Sequence, residues 1–379
     1  MSLKALLTMP RSFHAPDKKL IWVLFILLSF GLVMLFSASS VAGYLRSGSS
    51  MYFVKRQILG LTFGLIFFFV LSRIDYHWWR KYALHFLIIS ILFLVLVFIP
   101  GLGQGYGKAQ NWINVFGFSL QPSEFVKLFF LLYLAAWLEV KQNQLQDIYN
   151  GLGPLLVILG VIGFLMLLQP DLGTLSIIFI VSLIVYFAAG GPWKHIMAVI
   201  LLSTVALCGL LMVKSNKMDR IACYRDPSID ASGACYQISQ SLIAVGSGGL
   251  WGRGLGQSRE KFMYLPEVWC DSIFAVTAEE IGFIFSSLVI FLYFYLFYRG
   301  YLISQRAPDL YGRILAIGIV SWVMVQMILN IGGIMNFIPM TGVPLPFVSS
   351  GGSALMALLA AMGILVNISR QTREVARRM

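Results

Sequence analysis

Charge is what this chain has least of. Only 12% of its 379 residues are Asp, Glu, Lys or Arg, against 59% hydrophobic residues. So little charge cannot clothe a water-soluble surface, and the apolar residues come in long uncharged runs of the kind that cross a bilayer. Length alone would suggest two or three domains. The water-exposed segments are too short for that, so residues 1–379 read as one integral membrane domain. Acidic residues are rarer still, 16 against 28 basic ones, for a net charge of +12. No Lys/Arg-rich block interleaved with aromatics appears, which excludes a nucleic-acid partner; the cations flank the apolar runs as topology signals. The glycines match neither the dinucleotide nor the Walker A spacing, and no organic cofactor is expected. A cleavable signal is also missing. The first apolar run, from Leu20 to about Tyr44, is too long for one and reads as a retained anchor.

What is present is a succession of apolar helical runs. Ten are predicted, at 20–43, 55–73, 82–100, 121–139, 153–169, 172–190, 195–213, 271–298, 312–335 and 350–369. They describe an all-α, multi-pass membrane protein with both termini on one side. The stretch from Ile314 to Ser369 carries no charge, yet the break NFIPMTGVPLPFVSSGG divides it in two. With both termini in the cytoplasm, sixteen of the 28 basic residues fall in cytoplasmic segments, including the tails 1–19 and 370–379. The short outer loops then hold only Arg46, Lys55, Arg56 and Lys108, which satisfies the positive-inside rule. The long segment 214–270, between the seventh and eighth helices, becomes extracytoplasmic. All four histidines, His14, His77, His85 and His195, lie on or near the cytoplasmic side. Acid–base chemistry on the outer face must therefore use Asp or Glu, with a pKa raised by burial where needed.

The outer segment carries seven basic and five acidic residues before Asp271. Its middle, QISQSLIAVGSGGLWGRGLG, reads as a re-entrant or interfacial helix followed by a Gly-rich loop. Cys208 lies within the seventh run, while Cys223, Cys235 and Cys270 face outward. Three pairings are open among them; a Cys223–Cys235 bridge would staple a loop that has no core of its own. Ionisable groups at membrane depth are costly and usually have a task. Glu124 and Lys127, at i and i+3, either pair with each other or serve a ligand. Asp171 follows Pro170 at a helix start, where an N-cap is the plain alternative. Glu279 and Glu280 enter the next span, one of them suited to a buried cation. Asp271 itself stands where SREKFMYLPEVWCDSIFAVTAEEIG leaves a polar loop for the membrane. A carboxylate there is poorly placed for packing and well placed for surface chemistry.

These segments together resemble the SEDS family of membrane glycosyltransferases, which includes FtsW and RodA. The matching elements are VKRQ at 54–57, KAQNWINVFGFSLQPSEFVK at 108–127, QPDLGT at 169–174 and DRI at 219–221. YQISQSLIAVGSGGLWGRGLGQS at 236–258, KFMYLPEVWCDSIFAVTAEEIG at 261–282 and MTGVPLPFVSSGGSAL at 340–355 complete them. The run KFMYLPEVWCDSIFAV sides with FtsW and GGSAL with RodA; FtsW is favoured. The family carries a His-Thr pair before its essential aspartate, where this chain has Trp269-Cys270, and the two-cysteine loop is not a general family feature.

The resemblance implies a peptidoglycan glycosyltransferase that polymerises lipid II on the outer face of the bacterial cytoplasmic (inner) membrane, in division or elongation. It implies release of undecaprenyl diphosphate and a class B penicillin-binding protein as transpeptidase partner. Asp271 matches the essential aspartate and is the candidate base, directly or through a divalent cation, Mg²⁺ or Mn²⁺. Lys127, Arg220, Arg253 and Lys261 are candidates for the diphosphate. Backbone N–H groups of Ser350 to Ser353 could add anion donors, and Glu124, Asp171, Glu279 and Glu280 are supporting polar groups. A lipid II flippase and a non-catalytic scaffold that recruits a transpeptidase are the alternatives.

Overall fold

The computed structural model describes residues 14–372 except 107–108, 116–117, 214–217 and 231, without the side chains of 104–106, 109–110, 115, 118, 204–213 and 218–221. Each of the ten predicted runs is helical. They are α1 (Lys18–Ser47), α2 (Tyr52–Leu71), α4 (Ala83–Leu96), α5 (Pro122–Lys141), α6 (Gly153–Leu168), α7 (Leu172–Ala188), α8 (Trp193–Val213), α11 (Ile273–Arg306), α12 (Leu310–Ile334) and α13 (Gly352–Ser369). Three shorter helices lie between them: α3 (His77–Lys81), α9 (Met218–Arg225) and α10 (Tyr236–Ser247). Six helices are long and apolar enough to cross a bilayer, namely α1, α2, α6 with the π turn that precedes it, α11, α12 and α13. α4 and α7 are shorter apolar helices, and α5 carries Glu124, Lys127, Glu139 and Lys141 within its length.

One element departs from an all-helical reading. Residues 103–120 form a three-stranded antiparallel sheet, with β1 (Gly103–Tyr106), β2 (Ala109–Val115) and β3 (Phe118–Leu120) in sequence order. The segment is too polar to span. Trp112, Ile113 and Val115 favour strand, and the flanking glycines bound them with turns. α11 also runs eight residues past its expected end, to Arg306.

Aspartates start three of the helices. Asp17 caps α1 through Leu20 N at 3.0 Å, Asp171 caps α7 through Thr174 N at 3.1 Å, and Asp309 caps α12 through Gly312 N at 2.7 Å. Each satisfies one of the orphan amides of a first turn. α12 and α13 are buried along most of their length, whereas α2, α6 and α11 turn much of their apolar surface outward. α2 and α13 touch backbone to backbone. A Cβ on Gly60 would lie 2.6 Å from Gly352 Cα, and one on Gly363 2.6 Å from Phe68 O. Small residues at such contacts let helices approach closely in an apolar medium that offers them no hydrophobic drive.

The outer Gly-rich loop is spliced into α11. At Gly282 that helix is broken, with φ 74° and ψ −177°. Residues 249–254 lie in the break and take over the bonds that an unbroken helix would make internally. Arg253 N and Gly254 N donate to Glu279 O and Glu280 O at 3.0 and 2.9 Å. Phe283 N and Ile284 N donate to Gly249 O and Leu250 O at 2.9 and 3.2 Å. A Cβ on Gly282 would sit 2.2 Å from Gly252 N, so only glycine permits this backbone-to-backbone seat.

Candidate active site

Asp271 occupies the turn just before α11, partly buried. α10 supplies its neighbour: Gln237 Nε2 donates to both carboxylate oxygens at 3.4 Å and to Ser272 Oγ at 3.0 Å. α12 fixes the backbone, since Asn330 Nδ2 donates to Asp271 O at 2.7 Å and to Val343 O at 2.8 Å. One amide thus ties the start of α11 to the segment that precedes α13. Gly342 of that segment lies over the carboxylate; a Cβ there would be 3.7 Å from Asp271 Oδ2.

The same segment braces the two residues before Asp271. Ser349 Oγ donates to Cys270 O at 2.6 Å and Ser350 N to Trp269 O at 2.8 Å. Trp269 stacks on Phe53 of α2 with centroids 4.6 Å apart. These two residues are therefore held largely through carbonyls, which any residue type supplies. That accounts for how Trp269-Cys270 can stand in place of His-Thr.

No cation bonds the Asp271 carboxylate among the described residues. Burial raises its pKa to about 6; Glu267 adds to the rise and the Gln237 amide works against it. Glu267 is itself pushed up by burial, with Arg46 as the opposing charge. A carboxyl balanced near neutrality is suited to take and return a proton.

The candidate cations separate into paired and distant groups. Lys127 is buried, 2.8 Å from Glu124 Oε2 and 3.2 Å from Gln326 Oε1, with its ammonium over the Trp322 ring. Lys261 is buried against Glu280 at 2.8 Å, and Ser37 Oγ donates to both oxygens of that glutamate at 2.7 Å. Arg253 lies 3.5 Å from Glu279 Oε1, and that glutamate also accepts from Ser258 Oγ at 2.5 Å and Arg259 N at 3.0 Å. Arg220 lies in α9 with its side chain outside the described residues. Asp171 accepts from Ser123 Oγ at 3.1 Å and Gln121 Nε2 at 3.3 Å besides its capping bond, which ties α7 to α5. The amides of Ser350 and Gly351 are engaged with Trp269 O and Gln57 Oε1, and Ser353 Oγ accepts from Gln121 N at 3.1 Å. That stretch serves as a brace in this structure. Cys223 and Cys235 form a disulfide, leaving Cys270 as a free thiol.

Sequence reasoning missed two sets of residues. Arg46 and Arg56 flank Tyr52: the Arg46 guanidinium is 6.0 Å from its ring centre, and Arg56 Nη1 donates to its hydroxyl at 3.1 Å. Tyr52 adjoins Phe53, the residue that stacks on Trp269, so both arginines border the Asp271 side; their signal was to be the rare outer cations in short loops. Gln326 and Asn330 form the second set. Spaced four apart in an uncharged span, they occupy one face of α12 and link Lys127 to Asp271 through Pro344 O and Val343 O.

Among the described residues no group of three or more His, Cys, Asp or Glu converges as a metal site would require. Asp271 alone does not make a protein cage for Mg²⁺ or Mn²⁺.

Known proteins resemble this chain over most of its length. The profile of a family described as cell cycle protein, covering FtsW, RodA and SpoVE, matches residues 18–374. Stage V sporulation protein E of Bacillus subtilis is 41% identical over 359 residues, covering 95% of this chain and 98% of that one. A probable peptidoglycan glycosyltransferase FtsW of Geobacter sp. (strain M18) is 36% identical, covering 93% of this chain and 96% of its own length. Among solved structures, a chain of a peptidoglycan synthase complex that coordinates polymerization and crosslinking aligns with TM-score 0.78 at 25% identity, covering 94% of this chain and 98% of that chain. The rod shape determining protein RodA of Thermus thermophilus aligns with TM-score 0.70 at 26% identity, over 95% of this chain and 98% of that chain.

Proposed function

The chain belongs to the cell cycle protein family of FtsW, RodA and SpoVE, and from that membership we propose that it is a peptidoglycan glycosyltransferase with Asp271 as its base. The observation that carries the assignment of the base is the environment of Asp271. Among the described residues its carboxylate has no cation within ion-pair distance, and burial raises its pKa to about 6. Its neighbours Glu279 and Glu280 are saturated with donors.

In the proposed reaction Asp271 takes the proton of a lipid II sugar 4-hydroxyl as that oxygen attacks the anomeric carbon of the growing strand. Undecaprenyl diphosphate leaves, and the configuration inverts from α to β. The leaving diphosphate needs positive charge. Lys261 and Arg253 are paired with glutamates, and Arg56, which donates to the Tyr52 hydroxyl, is a further candidate donor. A divalent cation arriving with the diphosphate is the form of metal involvement one carboxylate supports, since Mg²⁺ is ordinarily held by one or two carboxylates plus substrate phosphates.

The proposed topology has ten spans with both termini in the cytoplasm of a bacterial inner membrane, and Asp271 outside. It is supported by the placement of Lys18, Lys19, Arg299 and Arg306 at the end of α1 and α11 opposite Asp271. A crosslinking transpeptidase, a class B penicillin-binding protein, is the proposed partner, by analogy with the peptidoglycan synthase complex that the fold matches. The FtsW and sporulation relatives, at 36% and 41% identity, stand nearer than the Thermus RodA at 26%, which favours a role in division or sporulation.

The test incubates purified full-length protein with lipid II in detergent, with and without the partner, and sizes the glycan on a gel. Strands from the parent and none from Asp271→Asn or Asp271→Ala are expected. No strands under either condition would leave the flippase or scaffold reading in its place.

A further inference from the structure

The end of the molecule opposite Asp271 holds a cavity that the reaction does not use. It measures about 240 Å³ and lies where the start of α1 meets the ends of α11 and α13. A single water needs only about 10–15 Å³ on this measure. Lys18, Lys19, Arg299, Arg306 and His14 line it, and Asp17 is the one carboxylate among the described lining residues. Asp17 is already committed, capping α1 through Leu20 N at 3.0 Å and bonding Arg299. His14 Nε2 is held against Thr372 O at 2.9 Å, fastening the chain before α1 to the segment that follows α13. Three cations remain, Lys18, Lys19 and Arg306, all exposed, and the buried Arg299 Nε has no hydrogen-bond partner.

Topology signalling explains cations near span ends, but not a cavity gathered among them. Like charges around one space repel unless an anion occupies it. One wall is apolar, made by Leu302 and Ile303. A soluble anion would satisfy the cations and leave that wall unused. Exposed aromatics mark the depth: Trp22 lies one turn into α1, and Tyr298 and Tyr301 lie in the last turns of α11. Such belts sit at the headgroup level of a bilayer.

We propose that this cavity binds the phosphate of an anionic phospholipid from the leaflet remote from Asp271, with an acyl chain against Leu302 and Ile303. Basic pockets between spans are suited to such headgroups.

The experiment uses full-length protein purified in detergent and supplemented with phosphatidylglycerol, phosphatidylcholine or inorganic phosphate. Retained lipid is counted by native mass spectrometry and melting is followed in parallel. Phosphatidylglycerol should be retained in preference to phosphatidylcholine, with affinity falling about fivefold for each cation removed. Lys18→Gln/Lys19→Gln/Arg306→Gln should therefore bring it to the phosphatidylcholine level, with lipid-free melting unchanged. Equal retention of the two lipids by the parent, or of phosphatidylglycerol by parent and variant, overturns the proposal. Equal stabilisation by millimolar inorganic phosphate also overturns it, in favour of a soluble anion. Should the triple variant not fold, Arg306→Gln alone carries the test, with a fivefold loss expected and no loss overturning it.

Discussion

Asp271 and the Glu279–Glu280 pair lie within ten residues of one another, yet the fold treats their carboxylates in opposite ways. Glu279 accepts from Ser258 Oγ and two loop amides, with Arg253 beside it. Glu280 accepts from Lys261 and Ser37. Asp271 receives two long side-chain contacts, both from one neutral amide, besides the backbone amides of its own turn. A buried carboxylate surrounded by donors is a fastening, expensive to disturb and chemically quiet. One left short of donors is costly to ionise and ready to accept a proton. Acidity alone does not separate the two roles; the donors around each oxygen do.

The strongest way to break this contrast is Asp271→Asn. Loss of a general base should cost about 10²–10⁴ in polymerisation rate, read from lipid II turnover. The same change should make the fold more stable, not less. With a folded pKa near 6, above the unfolded 3.8, ionisation penalises the native state above pH 6. Asparagine escapes that penalty. The variant should gain about 2–3 kcal/mol at pH 8, and the gain should fade as pH drops through 6 toward 4. A detergent melting series at several pH values checks this.

Lys261→Met should do the opposite, losing about 3–5 kcal/mol by leaving Glu280 buried and unpaired. Adding Glu280→Leu should recover most of it, visible as recovered melting temperature. Gly282→Ala comes next, at about 1–3 kcal/mol for a side chain forced to positive φ, plus the displacement of Gly252; cleavage of loop 248–261 by added protease reports it. The smallest effect belongs to Gln237→Ala. Polymerisation by the parent should climb as pH passes through about 6. Removing the amide that favours ionised Asp271 should move that rise to higher pH, while an unmoved profile would detach Gln237 from the carboxylate.

Much of this arrangement was readable in the chain itself. Long uncharged runs made the helices visible, and Asp171 after Pro170 announced a cap. Glu124 and Lys127 sit three apart on one helix, so their pairing needed no tertiary knowledge. Lys261 and Glu280 are nineteen residues apart, and only the loop folding back on α11 joins them. Both Lys261 and Arg253 consequently looked unpaired in the chain, whereas the fold sets each beside a glutamate. The sheet at 103–120 was hidden because its strands are short and Gly-punctuated. Gln326 and Asn330 were missed for a different reason: neutral amides in an apolar span attract less notice than charges, although a buried amide needs partners just as much.

The seat of the Gly-rich loop in α11 has a consequence for exchange with solvent deuterium. Arg253 and Gly254 of the loop donate to carbonyls on one side of the break, and Phe283 and Ile284 on its other side donate to loop carbonyls, so four amides about thirty residues apart close a single seam. Amides that share an opening event share one opening free energy. These four should therefore lose protection together, ahead of the amides of α12, and the piece of α11 next to Asp271 should report its opening with the loop and not with the rod below.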